Sequence, residues 1–199
     1  MRPGAVALAF TLAACSSLPN EPYYYYNSKP IYLQVDPGRL VVASTVLTSA
    51  QAVSAVVASN NVQVVSVDSL SQEPGHWVVH LASSTSITGA YGAVHGLRAD
   101  WRIMFASTAF WTVEGHHDFI PLDRLGVIFN PGVSQTQIDS LNAAFGTSII
   151  RPPIPEWGIP EFWLAYPRGA DFLSVAAAYA RSPLVRLADP DRISDATLD

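Results

Sequence analysis

An internal repeat constrains the fold of this 199-residue chain more than any other feature of its sequence. Residues 39–42 (Arg-Leu-Val-Val) precede the segment 48–51 (Thr-Ser-Ala-Gln) and an apolar run. Residues 124–127 (Arg-Leu-Gly-Val) precede the segment 134–137 (Ser-Gln-Thr-Gln) and a second apolar run. The two pairs of matching segments are 85 and 86 residues apart. Such self-similarity indicates two structural units built on one plan.

Each copy contains a signal for the start of a helix. A Thr or Ser stands three residues before a Gln, at Thr48 and Gln51 and again at Ser134 and Gln137. In this capping box the two side chains bond backbone N–H groups that the first helical turn leaves free. The apolar residues that follow share one helical face in each copy: Val53, Val56 and Val57 in the first, and Ile138, Leu141 and Phe145 before Gly146 in the second.

The remaining predicted elements follow the same order in both copies. The first copy predicts strands at 62–67, 76–81 and 103–113 and a helix at 87–98, and the second predicts strands at 147–151, 161–166 and 184–188 and a helix capped by Asp171. Each copy is therefore strand, helix, strand, strand, helix, strand. We predict an α+β protein with two tandem ferredoxin-like units at 31–118 and 119–193, each an antiparallel sheet with two helices on one face.

The second face of each predicted sheet has no helix to cover it. Residues 77–79 and 162–166 are apolar on both sides of the pleat, whereas the residues of a half-solvated strand alternate. An exposed face of this kind would exceed the apolar patch that soluble monomers usually carry. Either the two copies pack sheet against sheet, or a separate protein covers the face.

The N-terminal residues 1–14 have the pattern of a signal peptide. Arg2 precedes an apolar run at 5–12, which is far shorter than the roughly 20 residues of a transmembrane helix. The order Leu-Ala-Ala-Cys at 12–15 resembles the lipobox of bacterial lipoproteins, which implies cleavage after residue 14 and acylation of Cys15. Ordinary signal cleavage nearby is the alternative. We expect a lipid-anchored protein of the bacterial cell envelope, at the outer membrane or the periplasmic face.

The segment 15–30 is predicted to tether the folded body to this anchor. It is rich in Ser, Pro and Asn, and it carries four successive tyrosines at 23–26. Because aromatic residues favour strands, a short lead-in strand is at least an equal expectation, and the rings could also stack on the folded body or meet lipid headgroups. Residues 194–199 are predicted to form a tail.

Composition excludes several classes of function. The formal net charge is −5, with 14% charged residues, so the chain lacks the basic surface that nucleic acid requires. A single cysteine excludes an intramolecular disulfide framework and a multi-cysteine metal site. With 49% hydrophobic residues the chain can form a substantial core, which excludes disorder.

Residues suited to catalysis are few, and we predict no enzyme, no catalytic residues and no cofactor. His76 and His80 would lie about 13 Å apart along one strand, too far to share a metal ion. The densest cluster of possible metal ligands comprises Glu114, His116, His117 and Asp118, and it supports only a minor alternative of a metal-binding protein or hydrolase. Trp157 is either an anchor for a partner or part of the core.

The second copy, residues 123–193, also resembles a known family. The similarity rests on 127–134 (VIFNPGVS), Ile138, Leu141, Gly146, 166–171 (YPRGAD), 179–185 (YARSPLV) and 188–191 (ADPD). This pattern resembles the N-terminal prodomain of subtilisin-like serine proteases, in particular the fervidolysin-type prodomain. The tyrosines with residues 30–33 (Pro-Ile-Tyr-Leu) are similar, more weakly, to the lead-in of some exported bacterial proteins of this group. The first copy shares only the order of elements.

The resemblance implies binding rather than chemistry. Such prodomains place their open sheet face on the protease and thread the tail after the last strand into its active-site cleft. In this sequence the threaded tail would be Leu187, Ala188, Asp189, Pro190 and Asp191. No protease domain follows before Asp199, unlike the family. We therefore expect a free-standing inhibitor or folding assistant of a subtilisin-like protease, with a structural or interaction lipoprotein and a gene fragment as alternatives.

Overall fold

A computed structural model describes residues 22–26, 29–114, 117–154, 158 and 160–194. The strands in this part of the chain are β1 (Tyr23–Tyr26), β2 (Lys29–Ala43), β3 (Val64–Ser69), β4 (His76–Leu81), β5 (Phe105–Thr112), β6 (Asp118–Phe129), β7 (Ser148–Arg151), β8 (Glu161–Ala165) and β9 (Val185–Ile193). The helices are α1 (Ala50–Ala58), α2 (Ile87–Ala99), α3 (Gln135–Phe145) and α4 (Phe172–Ala180). The protein is thus α+β, and none of these four helices is both long and apolar enough to cross a membrane.

All described strands pair antiparallel in one sheet, in the order β3-β4-β2-β5-β6-β8-β7, with β1 on β2 and β9 on β6. The first half comprises β2 to β5 with α1 and α2, and the second comprises β6 to β9 with α3 and α4. The order is β3-β4-β2-β5 in the first half and β7-β8-β6-β9 in the second, so corresponding strands occupy corresponding places. The strand pairing that joins the halves is short, since β5 and β6 pair only at Phe110 with Phe119 and at Trp111 with Asp118.

The helix starts follow local capping chemistry. The predicted capping box of α3 is confirmed, because Ser134 accepts from the Gln137 N–H while the Gln137 side chain accepts from the Ser134 N–H. Gly146 ends α3 with a φ of 70°, a left-handed conformation that favours glycine. The box predicted at Thr48 is wrong. Ser49 caps α1 by accepting from the Ala52 N–H, which places Gln51 one position too early to complete a box.

Strand β9 runs beyond the predicted end of the last strand. Instead of ending at Ala188 it continues to Ile193, and it pairs with β6 over this length with two register shifts. Pro190 has no N–H to donate, and it is tolerated because β9 is an edge strand whose one paired neighbour in the described sheet is β6. Residues 187–191, predicted as a free tail, therefore belong to the sheet.

The N-terminal segment is also more ordered than a tether. Residues 23–26 form β1, which pairs with 29–32 of β2 as a hairpin. This is the lead-in strand that the tyrosines predicted as the alternative. Residues 1–14, Cys15 and residues 195–199 lie outside the described part of the chain.

Three apolar cores hold the molecule together. One lies between the first half's strands and α1 and α2, and another lies between the second half's strands and α3 and α4. The central core joins the halves: Val41, Ala43, Val78 and Phe105 on the first half's helix-free face pack with Phe119, Ile120, Leu122, Tyr166 and Phe172. The start of β6 and the start of α4, both in the second half, cover this face. The sheets of the two halves nevertheless join edge to edge, through β5 and β6.

Phe172 is the centre of this contact. It is fully buried, and its ring centroid lies 5.9–6.4 Å from those of Phe105, Phe110, Phe119 and Tyr166. Edge-to-face pairs at this spacing add to the free energy of burial. Phe172, at the first position of α4, thus links aromatic rings of both halves.

Truncation of Phe172 is expected to destabilise the whole protein. Phe172→Ala should lower the free energy of unfolding by about 3–5 kcal/mol, because it leaves a cavity among four aromatic rings. Urea denaturation followed by tryptophan fluorescence measures this loss. Leu173→Ala, at a half-buried neighbouring position, is the control and should cost clearly less. Equal losses in the two variants would contradict the central role of Phe172.

Candidate functional site

The helix-free face of the second half carries the candidate site. Helices α3 and α4 cover the opposite face, where Leu125, Val127 and Leu164 are buried. Because side chains alternate along a strand, the intervening residues Gly126 and Trp163 point to the uncovered side. The register pairs Gly126 with Trp163 of β8 and Asp189 of β9, and β6 adds the side chain of Arg124 to this face.

Two adjoining hollows form a groove on this face. The first has a volume of about 380 Å³ and is lined by Arg124, Ile150, Arg151, Trp163 and Asp191. The second has a volume of about 240 Å³ and is lined by Glu161, Trp163, Asp189, Pro190, Asp191, Arg192 and Ser194. They share Trp163 and Asp191, and we call them together the β6–β9 groove.

Trp163 lies between two guanidinium groups in this groove. The guanidinium carbon of Arg151 lies 4.9 Å from the Trp163 ring centroid, and that of Arg124 lies 5.5 Å from it. Both distances fall within the range of cation–π attraction. The three side chains therefore hold one another in place as a packed cluster that is partly exposed in the groove.

Arg124 is fixed from both halves of the molecule. Its Nε donates to Asp191 of β9, and its Nη1 donates to Glu73 of the β3–β4 connection at 3.0 Å. Glu73 belongs to the first half, so the second half's groove includes a side chain that the first half orients. Such multiply bonded guanidinium groups have little freedom to rearrange.

Three carboxyl groups of the groove have raised pKa values. Burial is the main cause for Glu161, Asp189 and Asp191, and the neighbouring charge of Asp189 further raises the pKa of Glu161. Arg192 opposes the increase at Asp189, and Arg124 opposes it at Asp191. The carboxyls can therefore take up protons more readily than exposed ones, and they alternate with guanidinium groups.

A glycine makes room for one of these carboxyls. A Cβ placed on Gly126 would lie 2.5 Å from Oε1 of Glu161, which is too close for the present position of that carboxyl. The absence of a side chain at residue 126 thus lets Glu161 lie across β6 beside Asp189. Of the residue types in the groove, tryptophan and arginine are the ones enriched at protein interfaces.

The predicted partner-binding residues divide between the groove and the core. Asp189 and Asp191 line the groove, whereas the alternating residues Ala188, at 3% exposure, and Pro190, which borders the second hollow, are buried. Leu187 is half-buried within β9. The alternation of a paired strand, rather than a free tail, decides which of these side chains a partner can reach.

The other candidate residues are not assembled into one site. His80 pairs with Asp68 at 2.9 Å, whereas His76 lies 3.1 Å from Asp123, so the two histidines have separate partners. Asp118 pairs with Arg39 at 2.9 Å. Within the ranges that the structure describes, no group of three His, Cys, Asp or Glu residues is placed to hold a metal ion. His116 and Trp157 lie outside those ranges.

Comparison with known proteins identifies no relative. No protein-family model matches the chain, and no curated protein matches it. The resemblance to subtilisin-like protease prodomains thus depends on the motifs quoted above.

The ion pair of His76 and Asp123, next to Arg124, is expected to make stability depend on pH. Burial lowers the pKa of His76, but Asp123, the charge of Glu73 and the Pro74 backbone together outweigh it, so the pKa lies above the ordinary 6.5. The folded state therefore binds this proton more tightly than the unfolded chain does. The stabilisation is complete below pH 6.5 and is lost as the pH rises through the raised pKa.

Urea unfolding of the wild type and of His76→Gln across this pH range tests the expectation. The free energy of unfolding should decline with rising pH more steeply in the wild type, while the other histidines titrate in both proteins. Glu73 also raises the pKa of His76, so Asp123→Asn should reduce the slope without abolishing it. Parallel curves for the wild type and His76→Gln would refute the linkage.

Proposed function

We propose that the protein is an exported, lipid-anchored binding module whose second half binds a folded protein through the β6–β9 groove. The observation that carries this proposal is the half-buried Trp163 held between Arg124 and Arg151 on the helix-free face. Trp and Arg are the residues most enriched at the energetic centres of protein interfaces. A paired sheet holds them rigidly, which reduces the entropy lost on binding.

The partner that the sequence resemblance favours is a subtilisin-like serine protease, with the module acting as its inhibitor or folding assistant. In such prodomains the open sheet face contacts the protease, and here the open face of the second half carries the groove. Asp189 and Asp191 would contribute as part of the groove wall, since β9 holds them in the sheet. This arrangement replaces the free tail expected from the sequence.

We also propose that the halves are two ferredoxin-like units related by duplication. Two observations support this: each half has the same order of strands and helices, and each places its first strand between its third and fourth. The corresponding helices α1 and α3 both begin at a serine N-cap. The units would then share a plan while only the second one carries the groove.

A structural or interaction lipoprotein without a protease partner is the second candidate function. The burial of the first half's helix-free face by the second half favours it, because a body that covers its own apolar face needs no partner there. This candidate and the leading one differ in whether Trp163 affects any protease.

Protease inhibition tests the leading proposal. The Cys15→Ser protein, which cannot be acylated, should slow a co-exported subtilisin-like protease at sub-micromolar concentration. Trp163→Ala should weaken inhibition at least about tenfold, as expected for a central interface tryptophan. Trp101→Ala is the matched control, since Trp101 is 69% exposed after α2, and it should leave inhibition unchanged. Failure of the parent protein to inhibit any such protease of the host would exclude the protease role.

Acylation of Cys15 is tested separately in a bacterial host. The wild type should appear in the membrane fraction with a mass that includes acyl chains, because several buried chains anchor a protein stably. Cys15→Ser should lose the added mass and lower the membrane-bound fraction, whereas Ser16→Ala should do neither. An unmodified wild-type mass would contradict the anchor.

A further inference from the structure

The β1–β2 hairpin carries three tyrosines on one outer face. The register places Tyr23 opposite Tyr32 and Tyr25 opposite Pro30, so these side chains share a side of the hairpin. The ring centroids of Tyr23 and Tyr25 are 5.5 Å apart, and those of Tyr23 and Tyr32 are 5.9 Å apart. Tyr32 is 47% exposed and Tyr23 is 37% exposed. We call Tyr23, Tyr25 and Tyr32 the tyrosine surface.

Burial of the other side of the hairpin keeps the tyrosine surface facing outward. Tyr24 points the other way, is buried at 3% exposure, and packs with its ring centroid 5.3 Å from that of Phe119. The guanidinium of Arg192 lies over both rings, at 5.3 Å from Tyr24 and 5.4 Å from Phe119. Rotation of the hairpin to bury the outer tyrosines would expose Tyr24, so the tyrosine surface is a fixed feature.

Clustered exposed rings differ from the scattered apolar residues of an ordinary surface. A contiguous aromatic patch marks a site of interaction with another protein or with a membrane. Tyrosine, with an apolar ring and a polar hydroxyl, is enriched where a membrane meets water. The chemistry of the patch therefore fits the lipid headgroup region.

A positive side chain lies near the tyrosine surface, whereas Lys29, which pairs with Tyr26, belongs to the other side of the hairpin. The hydrogen bond with Tyr23 raises the pKa of Tyr25, and the positive charge of Arg181 close by opposes this increase. Arg181 is exposed at the end of α4. Although the whole chain is acidic, the charge of Arg181 complements the phosphates of lipid headgroups at this point.

The position of the patch in the chain brings it close to the proposed anchor. Six residues, 16–21, separate Cys15 from the first described residue, Pro22. A fully extended chain advances at most about 3.6 Å per residue, so Tyr23 lies within roughly 30 Å of Cys15. If Cys15 is acylated, the tyrosine surface is therefore confined near the bilayer. This step alone rests on the proposed lipid anchor.

We propose that the tyrosine surface binds lipid headgroups and sets the orientation of the protein on the membrane. The acyl chains would hold the protein at the bilayer, and Tyr23, Tyr25 and Tyr32 would fix which side of the domain faces it. Two weak attachments of different kinds give more stable membrane binding than either alone.

Vesicle binding of the Cys15→Ser protein tests the surface without the anchor. The probe is vesicles of phosphatidylethanolamine and phosphatidylglycerol, and the measurement is the fraction of protein that floats with them. The triple variant Tyr23→Ser, Tyr25→Ser, Tyr32→Ser should lower the partition coefficient by about tenfold, because it removes three interfacial rings. The control variant Tyr91→Ser, Trp101→Ser also removes exposed aromatic rings, and it should bind as the parent does.

Circular dichroism and urea denaturation establish that the triple variant is folded. Nitration of tyrosines in the wild-type chain, read by mass spectrometry, gives a second measure that needs no variant. Vesicles should protect Tyr32 and leave Tyr91 reactive. Equal partitioning of the triple variant and the parent, or equal nitration of Tyr32 with and without vesicles, would overturn the proposal.

The two proposals can fail independently. An unmodified wild-type mass together with a loss of vesicle binding in the triple variant would remove the lipid anchor and keep the tyrosine surface. An acylated protein whose Tyr32 stays reactive on vesicles would keep the anchor and remove the tyrosine surface. Loss of protease inhibition in the triple variant, with vesicle binding unchanged, would assign the patch to a protein partner and also overturn the proposal.

Discussion

The burial of Phe172 among aromatic rings of both halves is the contact on which the rest of the structure depends. Without it the first half would expose Val41, Val78 and Phe105, because helices cover only its other face. Full burial of a side chain of this size contributes about 1.5–3 kcal/mol, and the ring contacts add to that. The same contact fixes where the second sheet lies and hence where its groove opens.

Ion pairs between the halves surround this apolar contact. Arg39 bonds Asp118, Arg98 bonds Asp171, His76 lies beside Asp123, and Arg124 bonds Glu73. Partly exposed pairs of this kind each contribute little to stability. However, each ion pair forms only when the two elements that carry it take one particular relative position. Apolar packing therefore supplies most of the free energy, and the charged pairs specify the register between the halves.

Local signals predicted most helices and strands, because Ser134, Gly146 and Asp171 act within a few residues of themselves. The extent of β9 was not predictable in this way. Asp189 and Pro190 disfavour a strand locally, and only pairing with β6 keeps them in one. The groove was missed for a related reason. Arg124, Trp163 and Asp191 are distant in the sequence, and only strand register brings them together. The one available signal was the apolar character of residues 162–166 on both sides of the pleat.

The dual attachment of Arg124 makes the two halves mechanically interdependent. Glu73 of the first half and Asp191 of the second half accept hydrogen bonds from the same guanidinium. The groove is therefore complete only when both halves are folded and packed together. Excision of residues 119–194 would leave Arg124 with one of its three hydrogen bonds and Phe172 facing water. The second half is therefore a poor candidate for a stand-alone fragment, although it carries every other side chain of the groove. The first half of the protein supports the β6–β9 groove by holding Arg124 in position.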